Sequence, residues 1–195
     1  STRSSKVSTF RPSISIHASL APPFAAAATA SLASIRSTTK LSWLASYASQ
    51  RDYADNLNDY SADYYLLEGG ATFGKYGLKA GYEVLGGDDQ PNHAFQTPLA
   101  TLHAFDKFLT TPRGGVEDLY LGATANVGPV ALQLVWHDFQ AEAFNQDYGS
   151  EWNASAAYKF GAKKNYEAML KFADYQADGF ATDTTKLWAQ FSATF

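Results

Sequence analysis

The sequence predicts an all-β protein, an antiparallel up-and-down transmembrane β-barrel of about ten strands. From residue 41 onward, apolar and polar residues alternate with the period of a β-strand, and helical spacing is rare. Short connections alternate with long ones, as they do in outer-membrane barrels. Aromatic residues make up 15% of the chain and charged residues only 17%, which is lightly charged for a surface that meets only water.

Composition excludes several other classes. The chain has 195 residues, a net charge of −4, no cysteine and a mean hydropathy of −0.26. No apolar run approaches the length of a membrane-spanning helix, and a disulfide scaffold or a thiolate metal site cannot form. The start of the chain lacks the apolar core of a signal peptide, which is typical of a mature chain.

Residues 1–40 form an N-terminal segment distinct from the body at 41–195. The first fifty residues hold five bases and no acid, whereas the remainder holds ten bases and nineteen acids, a charge of −9. Alternation over 14–20 and a partner at 24–34 would add two strands. The run of alanines at 25–28 has low strand propensity, so a linker is the alternative.

Eight segments of the body alternate well enough to be strands, and the two N-terminal candidates bring the count to ten. Both termini then lie on the periplasmic side, and the chain forms either a whole barrel or part of a wider one. The eight segments are 41–50, 65–73, 78–84, 119–125, 130–137, 152–160, 166–172 and 187–195.

The connections of the body fall into two groups. Short, glycine-containing turns are expected at 74–75, 127–128 and 161–164, and long links at 51–60, 86–115, 139–146 and 174–184. Aromatic residues gather at the strand ends, where a membrane interface would place them. These aromatics are Tyr64, Tyr65, Phe73, Tyr76, Trp136, Tyr148, Trp152, Tyr158, Phe160, Tyr166, Tyr175 and Phe195.

One side of the strands is predicted to line a polar lumen. Five acids and three bases on that side predict a mild preference for cations. Two interpretations are open: a surface that screens solutes by charge and size, or an ion-pair network that fills a narrow barrel. The predicted lumen residues are Glu68, Lys79, Glu83, Asp118, Gln133, His137, Glu151, Lys159, Glu167 and Lys171.

The link 86–115 is too long and too apolar for a free surface loop. We expect it to fold inward as a plug or constriction, and packing on a neighbouring subunit is the alternative. Its apolar residues include Phe95, Leu99, Leu102, Phe105 and Phe108.

Signals for catalysis or cofactors are weak, and the prediction is a protein that is not an enzyme. His137 and Asp138 are adjacent on a strand, so they point to opposite faces and make a poor acid–base pair. The remaining histidines have no metal-ligand spacing, and the glycine pairs lack the context of a phosphate loop. No metal or cofactor is expected, and the acidic body argues against nucleic acid as a partner.

The stretches GYEVLGG at 81–87, AFQTPLATLHAF at 94–105 and DKFLTTP at 106–112 resemble the porin-like, alginate-export-type outer membrane proteins of Gram-negative bacteria. The resemblance covers 60–195, and 95–112 is its most specific part. Relatives are commonly longer, and they usually carry a few more residues, including Gly-Trp-Ala, between the equivalents of Phe105 and Asp106.

The resemblance implies a bacterial outer-membrane protein with a channel role and no catalytic residues. Its partners would be outer-membrane lipid, small solutes and the barrel insertion machinery, which would read Phe191 and Phe195 as an assembly signal. An oligomer or a membrane complex is also compatible with this class.

The predicted function is passive diffusion of small solutes through a porin-like channel. The alternative is a small closed barrel that anchors or supports partner proteins in the outer membrane. Strand number separates the two, because eight strands enclose only side chains and aqueous porins use about sixteen to eighteen.

Overall fold

The computed structural model describes residues 13–18, 26–31, 39–51, 60–96, 107–108 and 110–194. These residues form ten strands and no helix, so no described helix is long and apolar enough to cross a membrane. The strands are β1 Ser13–Ala18, β2 Ala26–Ser31, β3 Thr39–Arg51, β4 Ser61–Phe73, β5 Tyr76–Leu85, β6 Val116–Val127, β7 Val130–Gln140, β8 Asp147–Phe160, β9 Tyr166–Ala177 and β10 Thr184–Ala193.

The strands form one antiparallel sheet in which each pairs with its neighbours in sequence. This order confirms the predicted up-and-down topology. Strands β3 to β10 have 10–14 residues and form the main sheet, whereas β1 and β2 have six residues each and lie in the N-terminal segment. Short turns join β4 to β5 and β6 to β7 at one end of the sheet, the hairpin end, and the long links meet at the other, the loop end.

The sheet is not closed into a barrel, which corrects the predicted closed form. Among the described residues, no pairing joins β10 to β1, so the sheet has two open edges. The difference in strand length contributes to the open form, because β1 has six residues whereas β10, the strand it would pair with, has ten. Closure also depends on contacts between strands at opposite ends of the chain, and local alternation carries no information about them.

One face of the main sheet is apolar and exposed, and we call it the apolar face. The register carries the alternation of each strand across to the next, so that apolar residues form continuous rows. Leu187 on this face is 74% exposed and Leu67 is 63% exposed. One row contains Leu41, Ala71, Leu78, Ala123, Leu134, Ala154, Phe172 and Leu187.

The opposite face, which we call the polar face, is the more buried one. Leu66 of β4, Tyr120 of β6 and Val135 of β7 pack into one cluster although β5 lies between the first two strands. Side chains of non-adjacent strands therefore meet over this face, which shows that the sheet curls toward it. The distribution is the reverse of a water-soluble sheet, where the apolar side is covered.

The loop end of the polar face is closed by a second cluster of buried residues. It combines strand residues with aromatic residues of the long links, including Phe95, Phe108, Phe139, Tyr148 and Tyr175. Tyr148 reaches this cluster because the β7–β8 register shifts at Phe139 and Gln140. Beside it, Gly149 has a φ of 104°, a conformation that other residues rarely adopt.

Gly149→Ala is expected to destabilise the protein by about 2–6 kcal/mol, the sum of backbone strain and overpacking. A Cβ at position 149 would lie 2.0 Å from the backbone carbonyl oxygen of Gln176. Both residues belong to paired strands, β8 and β9, so the backbone cannot easily move aside. Gly69→Ala is the matched control, since a Cβ there meets nothing within 4 Å. Urea unfolding of the two variants measures the difference, and equal unfolding midpoints would contradict the role given to Gly149.

Candidate functional site

The ten predicted lumen residues all occupy polar-face positions in the register of β4 to β9. Their burial differs widely along the face. Glu83, Asp118, His137 and Glu151 are buried to 1–2% exposure, whereas the side chain of Lys159 is 63% exposed. The predicted site is therefore one continuous surface with a buried part and a solvent-exposed part.

Glu68 is the centre of the first polar contact on this face. Its Oε2 atom accepts hydrogen bonds from Lys79 Nζ at 2.9 Å and from Tyr120 Oη at 2.7 Å. Lys79 Nζ also lies 4.9 Å from the centre of the Tyr120 ring. A carboxylate, an ammonium group and a phenol thus stabilise one another across three strands.

Gly81 makes this contact possible because it leaves space for Tyr120. The Tyr120 side chain crosses β5 at Gly81 to reach Glu68 on β4, and a Cβ on Gly81 would lie 2.2 Å from the Tyr120 ring. Glycine in a strand often marks such a close approach. We call this space the Gly81 notch, and it explains how Tyr120 is fully buried on an open sheet.

The other buried carboxylates have polar partners too. The Asp118 carboxyl group lies 2.8 Å from His137 Nδ1, within hydrogen-bond distance. Tyr64 Oη donates to Glu83 at 2.7 Å, and Asn153 Nδ2 donates to Glu151 at 2.8 Å. Burying these charges requires such partners.

The register sorts the charges of the polar face by sign. Two adjacent rows nearer the loop end, the acidic rows, contain Glu68, Glu83, Asp118 and Glu151. The next two rows toward the hairpin end, the lysine rows, contain Lys40, Lys79, Lys171 and Lys186. Among the described residues of these rows, no lysine lies in the acidic pair and no acid in the lysine pair. The charges are thus segregated along the strands.

Lys40 and Lys186 were missed as polar-face residues at the sequence level. Each lies at the border of a predicted strand, one residue before Leu41 or Leu187, where parity would have placed it on the polar face. Strand positions on this face of β3 to β10 carry five acids and five lysines. Acids and lysines are therefore equal in number on this face. The predicted excess of acids is wrong, and the cation preference predicted from it loses its basis.

Three aromatics assigned to strand ends at a membrane interface lie elsewhere. Tyr64 hydrogen-bonds to Glu83 on the polar face, and Tyr148 and Tyr175 are buried in the loop-end cluster. The Tyr175 hydroxyl donates to the Tyr148 backbone carbonyl. Other members of the same predicted set are exposed on the apolar face: Tyr65, Phe73, Tyr76, Trp152 and Tyr158. Tyr47 and Tyr82 are exposed on this face as well.

The described ends of the 86–115 link pack on the polar face at the loop end. Phe95 is buried and stacks on Tyr64 with ring centres 5.4 Å apart. Phe108 is buried with its edge against Phe139 at 4.8 Å and against Tyr175 at 5.8 Å. Leu99, Leu102 and Phe105 lie outside the described residues. The two described plug residues therefore fill space over the polar face.

Polar contacts tie the same link to the strands. Lys107 Nζ donates to Thr184 Oγ1 at 2.6 Å, and the backbone N–H of Gln96 donates to Gln50 Oε1 at 2.9 Å. Near its start, Asp88 lies 2.8 Å from His93 Nδ1. This hydrogen bond, with a second from the Gln90 backbone, lowers the pKa of the Asp88 carboxyl.

The other residues considered at the sequence level do not form a common site. His137 and Asp138 lie on opposite faces of β7, as their adjacency predicts. Phe191 is exposed on the apolar face of β10, and Phe195 lies outside the described residues. Within the described part of the chain, no group of three or more histidine and acidic residues has the arrangement of a metal site.

Comparison of the chain with family models, with curated proteins and with solved structures found no match. The alginate-export-type resemblance therefore stays a prediction that depends on the sequence stretches quoted for it.

Proposed function

We propose that this chain forms a transmembrane β-barrel of the bacterial outer membrane and allows passive diffusion of small solutes. The observation that carries the proposal is the exposed apolar face. Leu121, Leu170 and Leu187 are all more than half exposed on it, while charged residues lie buried on the other side. A large contiguous apolar surface needs a covering, and lipid acyl chains cover the outside of a barrel.

The borders of the apolar face support the same proposal. Toward the loop end, Tyr82 donates to Glu117 at 2.7 Å, and Tyr47 and Tyr65 both contact Asp63. Toward the hairpin end lie the stacked pair Tyr158 and Phe160. Aromatic girdles at both borders, with carboxylates beyond one of them, are typical of membrane barrels.

Closing the barrel requires a partner for the two open edges. In this proposal, β10 pairs with β1 in a ten-stranded barrel, or further strands complete a wider one. An edge left open in lipid would expose a row of unpaired N–H and C=O groups, each costing several kcal/mol. Closure and insertion are therefore expected to occur together.

A small closed barrel without a pore is the second candidate. The observation that favours it is the dense packing of the polar face, with Tyr120 fully buried and Phe95 and Phe108 over the loop end. Such a barrel would anchor or support partner proteins rather than pass solutes. In either case the proposal includes outer-membrane lipid and the barrel insertion machinery as partners, Phe191 and Phe195 as the assembly signal, and no enzymatic activity.

Reconstitution of the full chain separates these functions. Folded protein in detergent micelles is added to planar bilayers of phosphatidylcholine, and single-channel currents are recorded in 1 M KCl. Stepwise conductance is expected for the channel. Stable insertion into vesicles, resistant to carbonate extraction but without conductance, would favour the closed barrel. A folded protein that stays in the aqueous phase would contradict both.

A further inference from the structure

Aromatic rings border the apolar face at its hairpin end, on both sides of two short turns. At the turn between β4 and β5, the rings of Phe73 and Tyr76 have centres 6.3 Å apart, and Tyr76 is 56% exposed. At the turn between β8 and β9, the rings of Phe160 and Tyr166 each lie 6.2 Å from the ring of Phe191 on β10. In a membrane, such rings occupy the boundary between acyl chains and headgroups. Lipid that covers the apolar face would therefore place these two turns among the headgroups.

Three exposed lysines follow these rings in the turns. Lys75 comes two residues after Phe73, and Lys163 and Lys164 come shortly after Phe160. Within the described part of the chain, none of the three lysines forms a salt bridge. No acid occurs in the described connections at the hairpin end, which are residues 74–75, 128–129 and 161–165. Their positive charges can therefore attract an anion outside the protein.

The backbone holds these lysines in defined turns. The N–H of Asn126 donates to the carbonyl of Lys75 at 2.8 Å, and the N–H of Lys164 donates to the carbonyl of Gly161 at 3.0 Å. Lys164 has a φ of 54°, a conformation that glycine and asparagine adopt more readily. Lysine is thus not the residue that the backbone favours there, which directs attention to its side chain.

The loop-end border of the apolar face has the opposite charge. Four carboxylates lie at apolar-face positions there, those of Asp63, Glu117, Asp138 and Asp174. The chain as a whole has a net charge of −4. An anionic surface would therefore repel the protein as a whole, and its loop end in particular, but would attract the hairpin end.

We infer that the hairpin end of the apolar face binds anionic phospholipid headgroups. The rings lie at the level where acyl chains begin, and Lys75, Lys163 and Lys164 contact the headgroup phosphates. Each lysine close to an anionic membrane surface strengthens binding about fivefold. This inference deepens the proposed function, and it depends on that function for the lipid that covers the apolar face. It adds that the leaflet at the hairpin end is the anionic one.

Partitioning between two kinds of vesicle tests the inference on the full chain. Protein folded in detergent micelles is diluted into vesicles of phosphatidylcholine alone, or of equal parts of phosphatidylcholine and phosphatidylglycerol, and the bound fraction is measured by flotation. At low salt, binding to the phosphatidylglycerol vesicles is expected to be at least about tenfold stronger, and high salt should remove the difference. Attraction governed by net charge alone predicts the opposite preference, because the chain is acidic.

A triple variant shows whether the hairpin lysines are responsible. Lys75→Gln, Lys163→Gln and Lys164→Gln together should reduce the preference at least about tenfold. The same three positions changed to arginine should retain it. Arg113→Gln is the matched control, since it removes an exposed base at the loop end and should leave the preference unchanged. Circular dichroism checks that each variant is folded.

Equal binding to both kinds of vesicle, or an equal preference in the triple variant and the Arg113→Gln control, would overturn the inference. Carbonate extraction of the same vesicles tests the proposed function separately. Protein that prefers phosphatidylglycerol but is extracted by carbonate rejects the membrane-spanning barrel alone. Protein that resists extraction without any lipid preference rejects headgroup binding alone, and protein that binds neither vesicle rejects both.

Discussion

Leu121→Arg should lower the free energy of unfolding by about 2–4 kcal/mol in lipid vesicles, because an arginine at the middle of a lipid-facing strand is costly. Leu121 is 52% exposed and lies halfway along β6 on the apolar face. In a water-soluble sheet, the same change at so exposed a position would alter stability by only about 0.5 kcal/mol. The substitution therefore separates a lipid-facing surface from a water-facing one.

Gln133→Arg is the matched control for Leu121→Arg. Gln133 lies on the polar face of β7, so an arginine at this position would not face lipid. Urea unfolding in vesicles and the yield of inserted protein measure both variants. Equal losses of stability for the two would reject the assignment of the apolar face to lipid.

The sequence predicts which segments are strands and to which face of the sheet each side chain points, because period-two alternation is a local property. Glu83, Asp118 and Glu151 could be assigned to one face without knowledge of the fold, since each is followed by an apolar residue, which points to the opposite face. Which charges share a row was not predictable. Rows depend on the register between strands, and an error of one residue moves every side chain to the other face.

The sites missed at the sequence level have local structural causes. Tyr148 turns onto the polar face because the register shifts near Gly149, and a bulge of this kind leaves no clear mark in the alternation. Lys40 and Lys186 lie at strand borders, which sequence patterns locate least well. Tyr120 reaches Glu68 only because Gly81 leaves a notch on the strand between them. A glycine amid alternating residues was the only available signal.

The two ends of the polar face differ in a way that bears on conduction. At the loop end, Phe95 and Phe108 are buried among other aromatics. Toward the hairpin end, the polar face has a groove of about 450 Å³ whose lining includes Gln133, Ser155 and Lys171. A solute moving along this face would meet the lysine rows and the acidic rows in sequence and then the aromatic cluster. We therefore expect the cluster, rather than the charged rows, to limit the current.

Phe108→Ala is the direct test of that expectation. Removing the ring from among Phe139, Tyr148 and Tyr175 should lower the free energy of unfolding by about 3–5 kcal/mol, as for other buried phenylalanines. The vacated space should also raise single-channel conductance in planar bilayers. Phe144→Ala is the control, since Phe144 is a loop-end aromatic that is 39% exposed and should cost about 1 kcal/mol. A folded Phe108→Ala protein whose conductance equals that of the Phe144→Ala control would show that the 86–115 link does not constrict the barrel.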